Sequence, residues 1–99
     1  MLEQVADNHW QAQDVNTAKL IEAVGALLRA ERARANLTLR EAAARAGVTY
    51  ATLSRYEQAK QDKPMRLDVL YRLAAAYGVE VTAMLPPVAE VKHKAKVKK

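Results

Sequence analysis

Two helix-start signals, Thr38 and Thr49, with a glycine between them, constrain this chain more than any other feature of its sequence. Thr38 followed by Glu41 is a capping box, in which the threonine hydroxyl and the glutamate carboxylate satisfy each other's backbone N–H groups at the start of a helix. Leu37 and Ala42 occupy the flanking staple positions, and Ala43 and Ala46 let another helix approach closely. Gly47 supplies the positive φ that stops this helix, Val48 is an apolar plug, and Thr49 is a fresh N-cap. The helix that follows carries Leu53 and Tyr56 inward at i, i+3 spacing. Two short helices joined by a tight turn result.

The flanking segments supply the elements that can pack on this pair. Asn16 reads as an N-cap, with Val15 and Leu20 at staple spacing, and Leu20, Ile21, Val24, Leu27 and Leu28 share one face of a helix expected from about Thr17 to Ala35. Asn36 tolerates the left-handed conformation that ends it. Gln58 to Lys63 is a polar loop, and Pro64 opens a fourth helix whose inward face reads Leu67, Leu70, Leu73, Ala74 and Tyr77. Gly78 ends it, Val79, Val81 and a short helix Thr82 to Leu85 close the core, and Pro86-Pro87 forbids further helix. The fold class is therefore all-α, with five helices over residues 16–87 between a flexible N-terminal arm (1–15) and a Lys-rich tail (88–99) expected to be disordered. Only five of the 99 residues are aromatic, which leaves the core to Ala, Leu and Val and favours small, closely packed helices. A chain of this length has surface enough for one core only.

Charge narrows the partner. The net charge is +5. Residues 36–66 carry six Lys/Arg against three Asp/Glu and residues 88–99 five against one, whereas residues 1–35 carry four against five and residues 67–87 one against two. Positive charge is thus concentrated in the two-helix segment and in the tail, a distribution suited to a polyanion. The absence of cysteine excludes a disulfide framework, a cysteine-ligated zinc finger and thiol chemistry. The only histidines, His9 and His93, make no metal site, and no nucleophile–base pair or Gly-rich phosphate loop is present. No cofactor, metal or enzymatic activity is expected. Nor does any apolar run approach the roughly 18 residues of a membrane span or the flanks of a signal peptide, so a cytoplasmic protein is expected.

The wording of the central segment is more specific than its pattern. Leu37-Thr38-Leu39-Arg40-Glu41-Ala42-Ala43, Ala46-Gly47-Val48-Thr49, Leu53-Ser54-Arg55-Tyr56-Glu57, then Leu70, Leu73-Ala74, Tyr77-Gly78-Val79 and Met84-Leu85 resembles the phage repressor and Cro-type (XRE-like) helix-turn-helix DNA-binding domain over about residues 20–85. The resemblance implies a compact lambda-repressor-like fold that binds operator DNA. It makes the helix from Thr49 to Gln58 the recognition helix, with Tyr50, Ala51, Thr52 and Arg55 directed to the major groove. It places Lys60 and Lys63 near phosphates, and it aligns Arg32 and Glu57 with an ion pair that ties the first helix to the recognition helix. The chain departs from the family pattern at Leu39, where a backbone-binding Gln is common, at Asn36 and Ala59, where Gly is common, and at Glu31, a usually apolar position. Arg40, beside Leu39, offers a charge in place of the missing amide.

Each site residue has a structural reading beside the functional one. Arg55 suits guanine O6 and N7, or pairs with a carboxylate or a phosphate. Tyr50 and Ala51 suit thymine methyl groups, or simply face solvent. Thr49 and Thr52 cap and pack, and their hydroxyls and helix-terminal amides also suit a phosphate. The tail alternates Val91, His93, Ala95 and Val97 with lysines, so it is either a polycation that adds affinity by counterion release or a strand pairing across a two-fold. One recognition helix covers few base pairs, so a homodimeric repressor with two such helices one turn of DNA (about 34 Å) apart on a pseudo-palindrome is expected. The rival is a protein-binding module, an antitoxin or adaptor that captures a toxin or another regulator through an exposed Trp10.

Overall fold

The computed structural model describes residues 11–60 and 65–93 of the chain. Four α-helices are formed: α1 (Thr17–Arg34), α2 (Leu39–Ala46), α3 (Tyr50–Gln58) and α4 (Leu67–Tyr77). The fifth expected helix is a 3-10 turn, Val81–Met84, and two further 3-10 turns cover Ala12–Asp14 and Val88–Glu90. Among the described residues there is no β-sheet.

Local chemistry sets the helix limits. Asn16 Oδ1 accepts the Lys19 N–H at 3.0 Å to start α1. Thr38 Oγ1 accepts the Glu41 N–H at 3.1 Å while a Glu41 carboxylate oxygen accepts the Thr38 N–H at 2.8 Å to start α2. Thr49 Oγ1 accepts the Thr52 N–H at 3.0 Å to start α3. All four helices stop in the same way. A left-handed residue follows each (Asn36, Gly47, Ala59 and Gly78, φ 56° to 73°). The next N–H then bonds back to a last-turn carbonyl: Leu37 to Arg32, Val48 to Ala43, Lys60 to Arg55 and Val79 to Ala74, at 3.0 to 3.2 Å. These Schellman-type bonds satisfy carbonyls the helix itself leaves open.

The helices enclose one core. Leu28 of α1, Leu53 of α3, Leu73 of α4 and Met84 are completely buried, and Ala42, Ala43 and Ala46 carry α2 into the same cluster. The principal packings are α1 on α3 and α2 on α4.

Three expectations are corrected. Leu67, read as part of the inward face of α4, is 64% exposed. It is the first residue of the helix and lies about 90° from the middle of the face set by Val69, Leu70, Leu73, Ala74 and Tyr77, at 100° per residue. Val15, read as a staple, is 37% exposed and acts through its backbone, in an isolated antiparallel bridge with Lys92. The chain from residue 88 was expected to be disordered, yet residues 88–93 are ordered. Val91 is buried, its carbonyl accepts the Asn16 N–H at 2.7 Å, and the His93 N–H donates to the Asp14 carbonyl at 2.8 Å. One inward valine with its backbone paired is enough to hold the segment at the start of α1. Pro64, Lys63 and Trp10 lie outside the described residues, as do residues 94–99.

Candidate nucleic-acid interface

The position of α3 is set by one stripe of α1. Gly25, Arg29 and Arg32 recur at i, i+4, i+7 and meet the C-terminal end of α3 together. At Gly25 the two backbones approach so closely that a Cβ would lie 2.5 Å from the Tyr56 carbonyl oxygen and 3.2 Å from that of Glu57. Arg29 Nη1 donates to the Glu57 carbonyl at 3.1 Å, a cation at the negative end of the helix dipole. Arg32 binds the Glu57 carboxylate through two bonds, Nε to Oε2 at 2.7 Å and Nη2 to Oε1 at 2.9 Å, and donates a third to the Leu37 carbonyl at 3.0 Å. The glutamate is 6% exposed. Its hydrogen bond holds the Arg32 guanidinium above its ordinary pKa, against a smaller opposing effect of burial. One residue thereby links α1, the α1–α2 turn and α3.

On the inner side of α3, Tyr56 is buried and its hydroxyl accepts the Arg66 N–H at 3.0 Å, which fixes the start of α4. Tyr77 packs nearby with its hydroxyl unpartnered among the described residues, and burial, reinforced by the charge of Glu57, pushes its pKa up to about 12. Glu31, at the position the family keeps apolar, is buried with its carboxylate bonded to the exposed Arg34 one turn along α1.

Among the described residues the outer side of α3 is uncovered. Ala51, Arg55 and Gln58 are exposed, Ser54 is half-buried, and Gln58 Nε2 donates to Ser54 Oγ at 3.0 Å. Arg55 has no ion-pair or hydrogen-bond partner among the described residues. Thr49 Oγ1 donates to Thr52 Oγ1 at 2.9 Å, so both hydroxyls sit together at the N-terminus of the helix. Tyr50 and Arg40 are brought together across the α2–α3 turn, with the guanidinium 4.6 Å from the ring centroid, a cation–π contact that holds both at the same edge. Lys60 is exposed immediately beyond α3. The structure therefore gathers Arg40, Thr49, Tyr50, Ala51, Thr52, Arg55 and Lys60 on and around one helix, while Arg32 and Glu57 lie behind it. Sequence reasoning missed Gly25 and Arg29. A lone glycine in an otherwise apolar helix pattern was the available signal, since its helix penalty of about 1 kcal/mol calls for a packing reason.

The arrangement is that of a helix-turn-helix, and comparison with known proteins agrees. The family model of the helix-turn-helix domain matches residues 23–85. The chain belongs to this family and has its Cro/C1-like fold, that of DNA-binding transcription regulators. Among solved structures it is similar to the clp gene regulator ClgR from Corynebacterium glutamicum, with 35% identity, a TM-score of 0.60, and 66% of this chain and 67% of that one covered. The restriction-modification controller protein C.AhdI from Aeromonas hydrophila shares the fold at 20% identity and a TM-score of 0.61, over 66% of this chain and 96% of that one. So does the iron(II) form of HppE, at 24% identity and a TM-score of 0.61, over 69% of this chain and 35% of that one. Comparison with curated protein sequences finds no match. Among the described residues no group of His, Cys, Asp and Glu could hold a metal ion, and no helix is long and apolar enough to cross a membrane.

Proposed function

We propose that this chain is a sequence-specific DNA-binding transcription regulator, a repressor that binds a pseudo-palindromic operator as a homodimer and docks Thr49 to Gln58 in the major groove. The observation that carries this reading is the contrast between the two sides of α3. Its inner side is locked by Gly25, Arg29 and Arg32, and its outer side presents Ala51, Arg55 and Gln58 with none of the described residues packed over them. A rigid element with an open polar face is what groove readout requires, because the side chains must arrive at the base edges already oriented. The 35% identity to the clp gene regulator ClgR supports a role in gene control.

Dimerisation is supported by α4, where Leu67 and Tyr71 stand one turn apart at 64% and 57% exposure. A second copy would cover such a pair and set the spacing of two recognition helices. The same reading makes the protein cytoplasmic and non-catalytic, without a cofactor.

Selection of bound duplexes from a random library tests the proposal and defines the operator. Arg55→Ala should then relax preference at one position of each half-site, by about 1 to 3 kcal/mol, whereas Lys60→Ala should weaken all sequences evenly. Uniform loss with Arg55→Ala, or none, would mean that α3 is not docked in the groove.

A further inference from the structure

Beside the outer face of α3 lies an open concavity of about 580 Å³ whose walls include Thr49, Thr52, Arg55, Tyr56, Arg66 and Arg72. Its rim is cationic, and among the described residues no carboxylate lines it. Asp68, outside the cavity wall, engages both of the arginines at the start of and within α4. Arg66 binds it through two bonds, Nε to Oδ1 at 3.1 Å and Nη2 to Oδ2 at 2.8 Å, and Arg72 Nη2 lies 3.9 Å from Oδ2. Arg66 is held at this rim by its backbone, through the bond to the buried Tyr56 hydroxyl.

The position of the concavity indicates what it faces. At 100° per residue, Ala51, Arg55 and Gln58 form the outer ridge of α3, Tyr50 falls on the flank towards α2, and Thr52 on the flank towards α4. Arg40 therefore stands on one side of the ridge and the Arg66–Arg72 groove on the other. A helix in the major groove has a phosphate backbone on each side, across a width of about 12 Å. Cations on both flanks match both strands.

We propose that the α3–α4 groove takes a phosphodiester of the DNA strand opposite the one near Arg40, and that Asp68 competes with that phosphate for Arg66 and Arg72. The proposal rests on the DNA-binding reading above and adds to it a second phosphate site with a built-in competitor. In the free protein the carboxylate occupies the two guanidiniums. On DNA they exchange it for phosphate, and part of their attraction is used in breaking the internal pairs. Asp68 thereby weakens binding to every duplex alike, since a phosphate contact carries no sequence information.

The test measures duplex affinity of the full chain over a salt series for the wild type, Asp68→Asn, Arg66→Ala/Arg72→Ala, and the triple variant combining all three changes. Asp68→Asn should tighten binding about two- to fivefold, the size of an exposed ion pair. Arg66→Ala/Arg72→Ala should weaken it and flatten the plot of log affinity against log salt by about 1 to 2 units. In that background Asp68→Asn should have no effect. Because a carboxylate in the first turn favours a helix, Asp68→Ser and a thermal melt accompany the series, and both neutral variants must tighten binding at temperatures where they are folded. Unchanged or weaker binding by folded Asp68→Asn and Asp68→Ser would overturn the competitor role while leaving DNA recognition standing. A wild type that binds no duplex would overturn both. A groove suited to a free anion would instead bind inorganic phosphate without DNA, read by calorimetry, and leave the salt slope unaltered in the double arginine variant, which also overturns the assignment.

Discussion

Gly25 is the residue on which the placement of the recognition helix turns. Two effects of opposite sign meet there, since alanine is favoured over glycine in a helix interior by about 1 kcal/mol, whereas forcing a group into a packed interface costs about 1 to 3 kcal/mol. The neighbour here is backbone, 2.5 Å from a Cβ, and it cannot rotate away as a side chain would. Steric exclusion should win. Gly25→Ala is expected to lower stability by about 1 to 2 kcal/mol despite its better helix propensity, and a thermal melt decides it, because a variant that melts at or above the wild type would show that α1 and α3 separate freely. Glu57 and Arg32 act at the same contact by a different mechanism. Their two-bond geometry compensates the cost of burying the carboxylate, so the pair serves orientation more than net stability.

At the scale of the element, the caps that start the helices and the left-handed residues that end them are the main determinants, and two of them are suboptimal or titratable. Ala59 ends α3 at φ 56°, a conformation that costs an L-residue about 1 to 2 kcal/mol, while the extra backbone entropy glycine loses on folding is about 0.5 to 1. Ala59→Gly should therefore stabilise the protein by about 0.5 to 1 kcal/mol in chemical denaturation. A midpoint that falls would mean that the methyl group makes a contact outweighing the strain. Glu41 is the titratable one. Its carboxylate accepts the Thr38 N–H, and that backbone bond, with the Thr38 side chain, holds its pKa below the ordinary 4.5. Because the native value is the lower one, the cap's contribution is complete above 4.5 and is lost as pH falls through the native value. Glu41→Gln keeps an acceptor at this position but has no proton to gain, so its stability should be less sensitive to acid over that interval than the wild type's. Parallel acid profiles for the two would rule this out.

For the whole molecule the consequential finding is that the chain folds back on itself at residues 88–93. Val91, the Asn16–Val91 and His93–Asp14 backbone bonds, and the Lys19 ammonium on the Lys92 carbonyl at 3.1 Å join the end of the described chain to the cap of α1. Two truncations should therefore behave differently. Ending the chain after His93 removes Lys94, Lys96, Lys98 and Lys99, and should flatten the salt dependence of DNA binding with little change in melting temperature. Ending it after Pro87 also removes the buried Val91 and its backbone bonds to the cap of α1, and should lower stability by about 1 to 2 kcal/mol. Equal melting temperatures would show that the bridge contributes nothing.

The five-helix order and the helix–turn–helix were legible in the sequence because each helix start and stop is decided within a few residues. Asn16, Thr38 and Thr49 reach amides only three positions on, and Asn36, Gly47 and Gly78 reverse the chain where they stand. The outer face of α3 was legible for the same reason, since helix periodicity follows from spacing alone. What only the tertiary structure decided joins positions far apart in the chain. The Gly25 and Arg29 contacts with α3, the Tyr56–Arg66 bond, the orientation of Leu67 and the return of Val91 to Asn16 each depend on where a second element lies. Short-range hydrogen bonds are written in adjacent residues, but a contact between helices exists only once burial has brought their surfaces together, and no spacing along one segment encodes it.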